Sequence, residues 1–462
     1  MAGGLRGRSH DRMALSAAEL FAAEQHSWSM RDTFADRIGA LMGSGTISPP
    51  YIRGERRFFL RRDPGQQFAV LYTIDPGSEN ERVLIDPIAL DPDGVTTLDA
   101  WQPSKEGDRI AYQISVGGTE ESVVYVMDVA TGEVIDGPID RCRYSPIAWL
   151  PGGEAFYYVR RLPPEVLPDS EVNFHRRVFL HTVGADPDTD VLVFGSGMTM
   201  TNYYGVEVSR DGRWLQVSSS EGTEPRNDLW IADLSTSTPQ APAFTLVQGD
   251  VDAQTGIDIG RNGMFYVSTD LDAPRGRICV TEPSQPQSQH WRDLIPEDAE
   301  AVIDGFAILD GPELMRPLLL LVRTRHVVSE LSVYDLDTGE LVHTVELPGA
   351  GTVMGPVERP DGGPVVWLVY TDHTTVPTIY SFDARTMSLE VYATPPGVVD
   401  VPTVHSRQVT YISADGTPVR MFVISPTAEP DQPRPTILYG YGGFGIPMSP
   451  GYSATILSWV EA

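Results

Sequence analysis

Cysteine is scarce in this sequence, and so are the clusters that hold metals. Cys142 and Cys279 are the only two cysteines among 462 residues, and neither lies in a CxxC pair or beside a histidine cluster. This spacing supports neither a disulfide framework nor a zinc site. We therefore expect no metal and no cofactor, and a reducing, cytoplasmic compartment.

Long apolar runs and basic charge are lacking as well. The most apolar run, residues 318–322, is far too short to span a bilayer, and the N-terminus has no unbroken apolar segment of secretory length. The formal net charge of −29 would repel nucleic-acid phosphates and anionic lipid surfaces. Nucleic acid and membranes are therefore not expected as partners. The length itself indicates two domains, one of them large.

What the sequence contains instead is a β-rich repeat of roughly 50 residues. Most copies have one short strand before the recurring strand and one after it, separated by Gly, Pro, Asp and Asn. Three or more strands per period are typical of propeller blades, so the chain is predicted to be mainly β with a seven-bladed β-propeller. Unrelated sandwich domains with chance hairpins remain the alternative. The recurring strands end at Asp75, Asp128, Thr182, Asp233, Thr281, Asp335 and Asp383.

Both flanks of the repeat differ from it. Residues 16–42 favour helix and are followed by Pro49-Pro50, which predicts a short helical segment over 1–48 before a propeller over 49–400. Residues 409–426 read as a hairpin around Asp415-Gly416. A short apolar strand then leads into a glycine-rich loop at 439–445, as after the third strand of an α/β-hydrolase. The prediction for 401–462 is the first strands of an incomplete α/β-hydrolase domain, although a tight turn with packed tyrosines explains the loop equally well.

The exact order of residues in that loop is more specific than its glycine content. Tyr-Gly-Tyr-Gly-Gly-Phe at 439–444, followed by Pro450 and Tyr452, closely resembles a loop of the prolyl oligopeptidase family of serine peptidases. Oligopeptidases that cut after basic residues share the start of this loop, but Gly443-Phe444 favours the prolyl branch. Six further segments resemble the same family: SPPY at 48–51, RFFL at 57–60, VLY at 70–72, NFH at 173–175, SRDGR at 209–213 and NDLW at 227–230.

The resemblance implies roles for three residues. The Tyr441 hydroxyl would help to stabilise the tetrahedral oxyanion, for which a neutral phenol is a suitable donor. Phe444 would line the pocket for the substrate proline, and Tyr144 would face the substrate from the propeller. Packed structural roles are the alternative for Tyr441 and Phe444. The family commonly has an arginine that binds a substrate carbonyl where this chain has Ser220, so recognition before the proline is expected to differ.

The catalytic residues of such a peptidase are not in this sequence. Hydrolases of this fold supply Ser, Asp and His in that order after the loop, and the chain reaches only a second expected strand near 459–462. No G-x-S-x-G occurs, and His405 is the last of the nine histidines.

The resemblance therefore implies the propeller-containing part of an endopeptidase that cleaves short proline-containing peptides, with the propeller controlling substrate access. The complete protein is expected to be a monomer, and this chain by itself is expected to be inactive. A non-catalytic propeller that binds peptides or a protein partner remains the alternative.

Overall fold

The computed structural model describes residues 16–462, and antiparallel strands dominate them. Seven sheets follow one another along the chain, and each is one blade of a propeller. Blade 1 contains β1 (Thr46–Ile47), β2 (Tyr51–Arg53), β3 (Arg56–Arg62), β4 (Val70–Ile74) and β5 (Glu81–Ile85). Blade 2 contains β6 (Thr96–Pro103), β7 (Arg109–Val116), β8 (Val123–Asp128) and β9 (Val134–Ile139). Blade 3 contains β10 (Ile147–Trp149), β11 (Ala155–Arg161), β12 (Arg176–Thr182) and β13 (Val191–Phe194).

The remaining four blades have the same four-stranded order. Blade 4 contains β14 (Asn202–Val208), β15 (Trp214–Glu221), β16 (Asp228–Asp233) and β17 (Phe244–Gln248). Blade 5 contains β18 (Thr255–Ile259), β19 (Phe265–Thr269), β20 (Arg277–Thr281) and β21 (Arg292–Ile295). Blade 6 contains β22 (Ala301–Leu309), β23 (Leu318–Arg325), β24 (Val328–Asp335) and β25 (Leu341–Val345). Blade 7 contains β26 (Thr352–Val357), β27 (Val365–Thr371), β28 (Thr378–Asp383) and β29 (Ser388–Ala393).

The prediction of seven blades is confirmed; the recurring strand is β4 in blade 1 and the third strand in each of the other six blades. Local turn chemistry explains why it recurs. The Asp128 carboxylate accepts hydrogen bonds from the backbone N–H and the hydroxyl of Thr131, at 2.8 and 2.9 Å. Asp335 does the same with Thr338, at 2.9 and 3.1 Å. An aspartate at the strand end therefore fixes the turn to the fourth strand.

Apolar clusters between neighbouring blades hold the ring together. Each cluster combines buried residues of two consecutive sheets. The last blade meets the first in the same way, because Ile52 of β2 packs against Trp367 and Ile379. Among residues 16–462, no strand of blade 7 pairs with blade 1. Side-chain packing, rather than a shared strand, therefore closes the ring.

The first strand of each blade lines the central channel. First strands contact one another, as β6 with β10, β10 with β14 and β22 with β26. Because they run in the same sense around the channel, they all begin at one face of the propeller. We call this the mouth face; it also carries the turns between the second and third strands, because the second strand is antiparallel to the first and ends where the first begins.

Helices flank the propeller in the regions where the sequence is free of strand signals. Residues 16–25 form α1 in its described part, α2 is Arg31–Leu41, α3 is Pro87–Leu90 and α4 is Ala454–Glu461. The predicted N-terminal helical segment is thus confirmed for residues 16–41, with a break between α1 and α2; residues 1–15 of that prediction lie outside the described part of the chain. Short 3₁₀ turns occupy Met42–Ser44, Pro164–Val166, Pro187–Thr189 and Ser288–His290.

The predicted hairpin is confirmed as β30 (His405–Ile412) and β31 (Pro418–Ser425). Gly416 has a φ of +87° at the turn, where a glycine is favoured. The hairpin docks on the mouth face of blades 6 and 7. Gln408 donates to the His326 carbonyl at 2.7 Å, and the His373 ring packs against Phe422 at 5.1 Å.

Two expectations for the C-terminal part were wrong. The predicted strand before the glycine-rich loop is irregular, with Ile437 and Leu438 exposed, because no neighbouring strand is present in the described chain to pair with it. The predicted second strand at 459–462 belongs to α4. Its buried Ala454 and Leu457 pack against Leu41 of α2, and this packing favours helix there.

Both cysteines are buried, and no disulfide joins them. Cys142 lies between blades 2 and 3, and Cys279 between blades 4 and 5. Burial raises the pKa of the Cys279 thiol to about 12, so it stays protonated at neutral pH.

Candidate peptide-binding site at the mouth face

The glycine-rich loop is held at the mouth face by the residues that follow it. The Thr352 hydroxyl, at the start of β26, donates to the Pro450 carbonyl at 2.7 Å. The backbone N–H of Tyr452 donates to the Thr371 hydroxyl, at the end of β27, at 3.2 Å. The phenol of Tyr452 donates to the Leu41 carbonyl at 2.8 Å. These bonds fix residues 450–452 over blade 7 and α2.

Tyr441 and Phe444 project outward from this anchored segment. Their side chains are 52% and 79% exposed, and no hydrogen bond of the Tyr441 hydroxyl is found among residues 16–462. Phe444 has a φ of +53°, which is uncommon for a bulky residue.

Tyr144 lies just before β10, and therefore on the same mouth face. Its φ is +56°, and its ring is half exposed. The Tyr144 hydroxyl donates to the Glu120 carboxylate, and the Arg143 guanidinium lies 5.0 Å from the ring centre. The Tyr203 ring is 6.3 Å away, centre to centre. The structure shows no contact between Tyr144 and the loop residues Tyr441 and Phe444.

Ser220 lines a cavity of about 790 Å³ inside the channel, between the first strands of blades 4, 5 and 6. It pairs with Tyr203 across β14 and β15. Arg226, the nearest arginine that follows it in sequence, instead forms an ion pair with Glu224 at 2.8 Å. Arg226 therefore does not replace the arginine expected at position 220.

The interior of the channel is strongly acidic, which the sequence analysis missed. Glu207 and Asp258 lie on first strands, and Glu358 directly follows one. They have solvent access along the channel yet are surrounded by protein. Low solvation, together with the mutual repulsion of these carboxylates, raises the pKa of Asp258 to about 8 and that of Glu358 to about 7. The sequence does contain a signal for these channel carboxylates. Glu207 and Asp258 each follow a glycine by two positions, in Gly205-Val-Glu207 and Gly256-Ile-Asp258, and residues two apart lie on the same face of a strand.

The described residues contain no group of three or more His, Cys, Asp or Glu side chains arranged to hold a metal ion. No helix within residues 16–462 is both long and apolar enough to cross a membrane.

Comparison with known proteins agrees with the loop and the propeller. The N-terminal β-propeller domain of prolyl oligopeptidase matches residues 22–395. The chain belongs to the prolyl oligopeptidase family. Among curated relatives, the prolyl endopeptidase of Elizabethkingia meningoseptica is 30% identical over 93% of this chain, and that of Elizabethkingia miricola is 31% identical over 90%. The chain spans 59% and 57% of the lengths of these two relatives.

Solved structures of the family have the same architecture. A prolyl endopeptidase structure with 30% identity superposes with a TM-score of 0.87, and covers 97% of this chain and 65% of its own. Prolyl oligopeptidase B from Galerina marginata, bound to a 35-residue hydrolysis and macrocyclization substrate, superposes with a TM-score of 0.88 over 98% of this chain and 65% of its own. At 22% identity, this second similarity shows the fold alone.

Proposed function

We propose that the chain is the propeller part of a serine endopeptidase that cleaves short peptides after proline. The observation that carries this proposal is the 30% identity to a prolyl endopeptidase over 93% of the chain. The loop at 439–444 and its anchored position on the mouth face support it. The proposed limits are a helical segment at 1–48, the propeller at 49–400 and the start of the catalytic domain at 401–462.

In the proposed reaction, a catalytic part supplies the serine, aspartate and histidine. The serine attacks the carbonyl after proline, the histidine accepts the serine proton, and the aspartate orients the histidine. Tyr441 then donates its phenolic O–H to the oxyanion, a role that needs an unengaged hydroxyl such as the one seen here. Phe444 presents an exposed aromatic face against which a proline ring can pack, and Tyr144 contacts the peptide from the propeller side.

We further propose that the propeller limits which substrates reach the site. The hairpin β30–β31 and residues 450–452 both lie on the mouth face, so a catalytic domain continuing from them would cover the channel. A covered channel admits only short, flexible peptides. We propose in addition that the complete protein is a cytoplasmic monomer.

The test is the hydrolysis of a fluorogenic Gly-Pro amide by a polypeptide that extends this chain through its downstream coding sequence. The extended protein should release the fluorophore, and the chain of 462 residues should not. A Tyr441→Phe substitution should lower kcat by roughly 10² without a comparable rise in KM, because one oxyanion donor is removed. Tyr411→Phe, an exposed tyrosine of the hairpin, is the matched control and should leave kcat unchanged. If the extended protein fails to cleave after proline, the proposed activity is refuted.

The alternative, a stand-alone binding propeller, predicts different behaviour in solution. The segment around the loop exposes five large apolar side chains, which an isolated binding module would have little reason to present to water. A monodisperse, monomeric chain at high concentration would favour the binding module. Aggregation that disappears in the extended protein would favour the peptidase. The five side chains are those of Ile437, Leu438, Phe444, Ile446 and Met448.

A further inference from the structure

A group of arginines at the mouth face has more positive than negative charge, in a protein that is otherwise strongly acidic. Three guanidinium groups, from Arg143, Arg161 and Arg176, lie beside only two carboxylates, from Glu120 and Glu121. Arg143 pairs with Glu120 at 2.6 Å, and Arg161 pairs with Glu121. Within residues 16–462, Arg176 has no ion pair and its guanidinium makes no hydrogen bond.

Arg176 is nevertheless almost completely buried. The residue is 3% exposed, and its Nε is sealed from solvent without an acceptor. The guanidinium stacks on the Tyr203 ring, whose centre lies 4.0 Å away, and the Glu121 carboxylate attracts it without forming an ion pair. Burial, together with the nearby Arg161 and Arg143, lowers the pKa of Arg176 below its usual value. A cation–π contact compensates only partly for the lost hydration of a charged group, so the site lacks an anion.

The surroundings define which anion fits. The net excess is one positive charge, which matches a singly charged group, and a planar guanidinium suits the two oxygens of a carboxylate. The Tyr144 and Tyr203 rings, 6.3 Å apart, form an apolar wall beside it. Such a wall suits the carbon atoms of a peptide.

The position is also accessible to a peptide at the channel mouth. Arg161 and Arg176 pair across the ends of β11 and β12, on the mouth face. Tyr203, on which Arg176 stacks, is directly opposite Ser220, which lines the channel cavity. A peptide entering the channel at blades 3 and 4 would therefore pass this cluster.

We propose that Arg176, supported by the Tyr203 ring, binds a carboxylate of a peptide ligand at the mouth of the propeller. The site belongs to the propeller and does not depend on hydrolysis, so it goes beyond the peptidase activity proposed above. It predicts a preference for peptides that carry an acidic residue.

The test compares two peptides of the same shape, acetyl-Gly-Pro-Glu-amide and acetyl-Gly-Pro-Gln-amide, by calorimetric titration of the 462-residue chain. The Glu peptide should bind the wild-type chain roughly 10-fold more tightly than the Gln peptide, the gain expected for a charge-assisted bidentate bond. Arg176→Gln should abolish this preference. Arg226→Gln removes the same charge from an exposed ion pair in a turn on the same face and should retain the preference.

Two further measurements keep the result interpretable. Circular dichroism checks that Arg176→Gln is folded. For the wild-type chain, added NaCl should weaken binding of the Glu peptide and leave binding of the Gln peptide unchanged; this salt dependence is expected only in the wild type and not in Arg176→Gln. Equal binding of the two peptides, no binding of either at millimolar concentration, or a preference that survives in folded Arg176→Gln would each overturn the proposal. Binding of the Glu peptide by an extended protein that does not cleave it would refute only the peptidase.

Discussion

Replacing His181 with glutamine tests the polar connection between blades 2 and 3. His181 of β12 is completely buried between two carboxylates. One ring nitrogen lies 2.8 Å from Asp136 of β9, and the other lies 2.8 Å from Asp190, which precedes β13. Burial disfavours the charged imidazolium, but the bonds to both aspartates outweigh it and raise the pKa of His181 to about 9. A cation is thus sealed between two anions.

The expected loss of stability follows from what the substitution leaves behind. Glutamine removes the positive charge, so two buried carboxylates remain without a cation, a change that typically costs about 3 to 5 kcal/mol. The lower end applies here, because both aspartates keep other partners. Asp190 still accepts the Tyr158 hydroxyl at 2.6 Å, and Asp136 still accepts the Gly184 N–H at 2.6 Å. We expect His181→Gln to lower the free energy of unfolding by about 3 kcal/mol at pH 6.

The pH dependence provides the sharper test. A histidine whose pKa is raised in the folded state contributes its full stability below the unfolded value of about 6.5 and loses it as the pH rises through about 9. The stability difference between wild type and His181→Gln should therefore shrink by about 3 kcal/mol between pH 6 and pH 10.

The assay is urea unfolding followed by tryptophan fluorescence at several pH values. His290→Gln, in an exposed turn, is the control and should follow the wild type throughout. Two results would refute the interaction of a charged His181 with two buried carboxylates: a loss of stability under about 1 kcal/mol at pH 6, or a plot of stability against pH that runs parallel to that of the wild type.

Three further predictions use the same unfolding assay. Asp258→Asn should stabilise the propeller at pH 8 and have little effect at pH 4, since a carboxyl group with a raised pKa loses its contribution as the pH rises through about 8; a destabilised variant at pH 8 would contradict this. Gly339→Ala should cost about 2 to 3 kcal/mol, because its new Cβ would lie 2.1 Å from the Leu294 carbonyl oxygen at a φ of +73°. The equivalent Gly132→Ala, with open space and a φ of +75°, should cost only about 1 kcal/mol, and equal losses would show that the contact is unimportant. Ile52→Ala should cost about 2 to 4 kcal/mol by opening the contact that closes the ring, and a neutral result would mean that the first and last blades are held otherwise.

Much of the fold was predictable because its signals are local. The aspartate turns after the third strands recur with the blades, since each depends on a side chain bonding to a backbone N–H a few residues away. The hairpin around Gly416 has the same kind of local cause. The strand predicted before the loop and the strand predicted at the chain end failed for the opposite reason. A strand forms only where a neighbouring strand can pair with it. The helix α4 is stabilised by packing against Leu41, which lies more than 400 residues away along the chain.

The candidate site divides in the same way. The sequence alone determined the number of blades, and it revealed that the loop with Tyr441 and Phe444 resembles that of the family. Both follow from residues that are close together along the chain, as repeats and motifs are. Only the tertiary structure showed that Arg176 is buried with no carboxylate partner among residues 16–462, and that carboxylates of separate blades share the channel. Charge pairing and burial depend on distances between blades, and a linear pattern contains no such distances. The chemistry of single residues was therefore visible in the sequence, whereas their electrostatic environment came from the closure of the ring.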